Sequence, residues 1–149
     1  MKRFQFSLQK LLNYKEQVLQ REKNDLAGLR RQLQQALDEK DRLWILVNQA
    51  NGDFTVRSSR GMTPPQIVLA KAYINQLLEQ IRLLEGNIRF LGERIEKQLG
   101  VVIEATKEVS SLEKLQEKQL EDYTKAFQKE EELFISEYVS NSTFYSSSV

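Results

Sequence analysis

The sequence predicts an all-α protein, an antiparallel two-helix coiled-coil hairpin in which helix 2 projects beyond helix 1. Three observations predict it. Ile67, Ile74, Ile81, Ile88, Ile95, Val102 and Val109 recur every seven positions, with Ala70, Leu77, Leu84, Leu91, Gln98, Ala105 and Leu112 in a second column beside them. A similar double column lies upstream, and a turn-rich stretch separates the two. A heptad repeat held this long keeps one apolar seam facing a partner helix while both supercoil.

Helix 1 is predicted over residues 4–50. Its columns are Leu12, Leu19, Leu26, Leu33, Lys40 and Val47, and Leu8, Lys15, Glu22, Leu29, Ala36, Leu43 and Ala50. Lys15, Glu22 and Lys40 interrupt the apolar rows, which costs stability but limits register and stoichiometry.

A connecting loop is predicted over residues 51–64, because Asn51-Gly52-Asp53 and Arg57-Ser58-Ser59-Arg60-Gly61 are rich in turn formers. Thr63 before Pro64-Pro65 then signals a helix start, a hydroxyl cap followed by proline in the first turn. Helix 2 is predicted over residues 65–138. Folding it back across this loop places Val47 opposite Ile67 and Leu8 near Ala105, leaving helix 2 unpaired from about residue 113. There Leu120, Tyr123, Phe127 and Phe134 form an aromatic stripe at helical spacing. Unpaired, it is a docking site for another protein or the self-association seam of a homodimer. The serine-rich residues 139–149 are expected to be a disordered tail.

The composition excludes much chemistry. With no cysteine and no histidine, there is no thiolate or imidazole nucleophile, base or metal ligand. Carboxylate pairs such as Glu104/Glu108 and Glu117/Glu121 share a helix face but lie on exposed helix, with no pocket to shift their pKa. Gly86, Gly92 and Gly100 follow no strand and form no phosphate loop. No cofactor, metal or small-molecule substrate is expected, and the chain is read as a non-enzyme. A formal net charge of +1 argues against nucleic-acid binding. Polar residues interrupt Phe4 to Val18, and no apolar run reaches about 18 residues, so neither a signal peptide nor a membrane span is expected and the location is read as cytoplasmic.

The surface that remains is for partners. Leu37 and Trp44 are one heptad apart on helix 1 outside the seam, while Leu69, Tyr73, Leu83 and Phe90 lie off the seam of helix 2. Trp44 and Tyr73 near the loop are read either as aromatic anchors for a partner or as cover for the seam. The basic, apolar opening segment suits an anionic membrane surface, but its apolar residues join the seam that runs to Val47, and the hairpin reading is preferred.

Phe4-Gln5-Phe6-Ser7-Leu8-Gln9-Lys10-Leu11-Leu12-Asn13-Tyr14-Lys15, Ala72-Tyr73-Ile74-Asn75-Gln76-Leu77, and Leu112-Glu113-Lys114-Leu115-Gln116-Glu117-Lys118 with Tyr123 and Glu130-Glu131 resemble the FliJ family of flagellar type III export proteins. The resemblance covers nearly the whole chain, departing at Ser136-Glu137-Tyr138, where the family has an Asp-Glu pair. It implies a coiled-coil stalk similar to the shaft of rotary ATPases, at the cytoplasmic face of the inner-membrane export apparatus. The implied partners are the hexameric export ATPase, whose assembly and activity it promotes, the cytoplasmic domain of the export gate, and export chaperones. Carried onto this chain, Phe4, Phe6, Leu8, Leu11, Lys15, Leu120, Tyr123, Phe127 and Phe134 would meet the ATPase. Leu37, Trp44 and Tyr73 would meet the gate.

Overall fold

The computed structural model describes residues 2–147. Two helices account for most of them, α1 (Gln9–Arg60) and α2 (Pro64–Ser147), and there is no strand among the described residues. The chain divides into a loop unit, Arg21–Val102, and a terminal unit, Met1–Gln20 with Ile103–Val149.

In the loop unit, Leu43, Val47, Leu77 and Ile81 form one apolar cluster, and Leu29, Ala36 and Leu91, flanked by Ile88 and Ile95, form another. Later residues of α1 meet earlier residues of α2, so the helices pack antiparallel. The buried residues of these clusters all belong to the heptad columns, and among the described residues no large side chain falls below 2% exposure. Two helices can share a seam but cannot enclose an interior. Burying a leucine or isoleucine side chain contributes about 1.5–3 kcal/mol, so stability is spread along the seam.

The polar seam residues are paired. Gln98, the polar member of its column, donates from Nε2 to Glu22 Oε2 at 2.5 Å and to the Glu22 carbonyl at 3.0 Å. Lys40 Nζ lies 3.3 Å from Glu85 Oε1. Sliding the helices would separate these partners and leave polar groups against apolar ones.

The connection departs from expectation. The predicted loop of residues 51–64 is largely helix, because α1 continues to Arg60 and only residues 61–63 connect the helices. The turn-forming side chains satisfy their hydroxyls on their own helix: Thr55 Oγ1 donates to the Asn51 carbonyl at 2.9 Å, and Ser58 Oγ to that of Thr55 at 3.0 Å. Phe54, half-buried and seven residues after Val47, extends the seam. Lengthening an existing helix carries no nucleation cost, and Gly52 weakens it by only about 1 kcal/mol relative to alanine. Gly61, at φ 96°, ends α1 in the left-handed conformation, its N–H bonded to the Ser58 carbonyl at 3.2 Å. Thr63 starts α2, its N–H donating to Gln66 Oε1 at 3.0 Å as in a capping box.

The longer α1 shifts the register at this end by ten residues, so that Val47 shares its cluster with Leu77 and Ile81 rather than facing Ile67. At its start, α1 begins at Gln9 rather than near residue 4, and residues 2–8 are not regular α-helix. The expected disordered tail is also helical as far as Ser147, with Thr143 Oγ1 donating to the Val139 carbonyl at 2.9 Å and Ser147 Oγ to that of Phe144 at 2.9 Å. Residues 148 and 149 of that predicted tail lie outside the described residues.

Candidate partner-binding surfaces

In the terminal unit, Phe6, Leu12 and Val109 form a buried cluster, and Phe4, Leu8, Leu19 and Leu112 pack against it. Leu8 therefore reaches the Val109 cluster rather than Ala105. Lys15 Nζ sits 2.7 Å from Glu108 Oε2, and that hydrogen bond and the attraction to the carboxylate raise the lysine pKa. Gln116 Nε2 donates to Gln9 Oε1 at 3.0 Å.

Ahead of α1, residues 2–8 lie along α2. The Phe4 ring packs at 5.5 Å and 50° on Tyr123, whose hydroxyl donates to the Lys2 carbonyl at 2.6 Å. Tyr123 in turn stacks on Phe127 at 6.3 Å and 21°. Cover on α2 thus extends to Tyr123, and the uncovered stretch begins at Thr124 rather than about residue 113. From Thr124 to Ser147 every residue is exposed. The stretch carries Phe127, Leu133, Phe134, Ile135, Tyr138, Val139, Phe144 and Tyr145, a concentration of apolar surface unlike the scattered exposed residues of an ordinary surface. Phe127, Phe134 and Ile135 line a shallow groove with Glu130 and Glu131.

The residues read as ATPase-facing therefore fall into two sets. Phe4, Phe6, Leu8 and Tyr123 pack within the chain and Lys15 is ion-paired, whereas Leu11, Leu120, Phe127 and Phe134 are exposed.

In the loop unit, Leu37, Trp44 and Tyr73 are all exposed, but not together. Tyr73 lines a groove with Asp53, Phe54, Arg57 and Leu69. Trp44 is nine residues before Asp53, which at about 100° per residue turns it to the opposite side of α1. Leu37, one heptad before Trp44, shares its flank. Leu69 and Tyr73 of this groove are among the residues the sequence singles out; Phe54, inside the stretch expected to be loop, is missed, and its place as the heptad successor of Val47 is the signal for it. Lys71 Nζ lies 5.9 Å from the Phe54 ring centroid.

Exposed ion pairs decorate the helix surfaces. Arg42, Arg82 and Lys125 hydrogen-bond Glu39, Glu79 and Glu121 and hold those carboxyls below their usual pKa. Among the described residues no group of three or more acidic side chains is placed to hold a metal ion, and no helix is long and apolar enough to cross a membrane.

Fold and surfaces define a coiled-coil protein whose distinctive features are exposed apolar side chains on its flanks and an uncovered aromatic helix end. Over residues 4–146 the chain matches the family described as flagellar FliJ protein, and it belongs to that family. Membership makes it a component of flagellar type III export. Neither the curated proteins nor the solved structures contain a match.

Proposed function

We propose that the chain is a non-enzymatic coiled-coil stalk that binds and regulates the hexameric export ATPase, links it to the cytoplasmic domain of the export gate and interacts with export chaperones. It works in the cytoplasm, peripherally at the inner-membrane face of the apparatus. The observation that carries this reading is the uncovered α2 stretch from Thr124, where Phe127 and Phe134 are exposed on a helix that no other described segment covers. A helix that leaves an aromatic stripe in water is suited to insertion into a protein site. Its effect on hydrolysis is allosteric, by favouring one arrangement of the ring's subunits, and it contributes no catalytic group.

Hydrolysis by the cognate ATPase, measured with and without the protein, tests this. Stimulation of rate or of hexamer formation is expected, and no change at saturating protein overturns it. Phe127→Ala with Phe134→Ala should abolish most of the stimulation while circular dichroism stays unchanged. On the gate side, Trp44→Ala and Tyr73→Ala lie on different flanks, so only the flank that meets the gate domain should weaken its binding.

The same exposed stripe also suits a homodimeric scaffold. Sedimentation equilibrium separates the two readings, since a monomer at micromolar concentration excludes self-pairing.

A further inference from the structure

We infer that residues 2–8 are an exchangeable strap, seated on a stretch of coiled-coil surface that a helix of a partner protein takes when the strap lifts. The seat is the continuation of an interface already present. The α2 columns run on from Val109 to Gln116 and Tyr123, and from Leu112 to Gln119. α1 covers them only as far as its own start at Gln9, opposite Gln116. Past that point the Phe4 ring and the Lys2 carbonyl, both ahead of the helix, meet Tyr123 on the same face.

The strap is held by side chains at a few points: Phe6 in the Val109 cluster, the Phe4 ring on Tyr123, and the Tyr123 hydroxyl on the Lys2 carbonyl. A helix in the coiled-coil mode can meet every column position of this face, whereas residues 2–8, which are not helical, meet it at these few points. The occupant is therefore an amphipathic helix with apolar residues at heptad spacing and a polar residue for Gln116 and Gln119. Tyr123 stacks on Phe127, so lifting the strap joins the seat to the exposed stripe as one continuous surface. The strap then competes with the partner for Tyr123, which explains why part of the aromatic surface is occupied within the chain.

For its partner this inference rests on the proposed ATPase reading, and two measurements keep them distinguishable. The chain has no cysteine, so introduced thiols report cleanly. First, a Phe4→Cys/Tyr123→Cys variant is bridged with a reducible thiol crosslinker. Bridging should weaken binding to the hexameric ATPase by about tenfold or more, with recovery on reduction; equal binding before and after reduction overturns exchange. Second, thiol labelling of Val109→Cys should speed about fivefold or more when Phe4→Ala is added, while labelling of Leu77→Cys in the loop unit stays constant. Unchanged labelling at Val109→Cys, or acceleration at both positions, overturns the strap and makes these residues part of the ordinary fold. If the unaltered protein binds no ATPase, the stalk reading fails while the labelling still decides the strap.

Discussion

Glu22 and Gln98 interrupt apolar columns, yet they meet each other across the seam at 2.5 Å. Such a pair contributes less than two packed leucines would, but it penalises every alignment that separates it. Glu22→Leu with Gln98→Leu is expected to raise the melting temperature and to broaden the distribution of oligomers in sedimentation velocity. Ion pairs, one across the seam and the others along the helix surfaces, set the pH response. Lys15 has a raised folded-state pKa from its hydrogen bond to Glu108, so its contribution is full below the ordinary lysine range and is lost as pH rises through the raised value. Glu39, Glu79 and Glu121 are lowered by their hydrogen bonds to Arg42, Arg82 and Lys125, so their contributions are full above the ordinary carboxylate range and are lost as pH falls through the lowered values. Thermal melts across pH should therefore decline at both extremes, and Lys15→Met should flatten the alkaline limb.

The helices owe their ends to specific devices. Gly52 lies within α1, and nothing stands within 4 Å of the place an alanine methyl would take there, whereas Gly61 ends α1 at φ 96° with equally open space. The two differ in backbone conformation, and substitution should act with opposite sign. Gly52→Ala should stabilise by about 0.5–1 kcal/mol through helix propensity, and Gly61→Ala should destabilise by about 1–2 kcal/mol because its Cβ meets the carbonyl in the left-handed region. Chemical denaturation of both variants checks the pair. A result in which Gly52→Ala destabilises would mean that α1 stops before Arg60. α2 is limited differently: beyond Tyr123 it has helix bonds but no cover, so its order there rests on propagation from the packed part.

For the molecule as a whole, local stability should follow cover. Amides from Thr124 to Ser147 are expected to exchange with solvent faster than those from Leu77 to Ile95, which lie along buried seam. Hydrogen exchange with mass detection would show this, and binding of the export ATPase should slow exchange selectively in the uncovered stretch. Uniform protection along α2 in the free protein would point instead to a self-paired form. Function on this account lies in the parts of the repeat that the chain leaves unmatched.

Much of this was readable from residue spacing. The heptad columns of α2 identify the residues that become buried, among them Leu77, Ile81, Leu91, Val102 and Val109, because burial on a helix follows its period and the period is local. All-α architecture and antiparallel packing follow from the two column sets and the turn-rich stretch between them. Only the tertiary structure decided the register, the strap and the flanks. One apolar column matches another at several offsets, so Val47 met Leu77 and Ile81 rather than Ile67 once packing of Phe54 extended α1 through a segment whose local preferences favour a turn. Leu8 continues a column of helix 1, so spacing predicts helix from residue 4 and does not announce that Phe4 and the Lys2 carbonyl will close over Tyr123. Trp44 and Tyr73 sit near the loop in sequence but face apart, because which flanks adjoin depends on register as well as on helical position. Periodicity is a property of each helix alone; the alignment of two helices is set by the free energy of their whole shared seam.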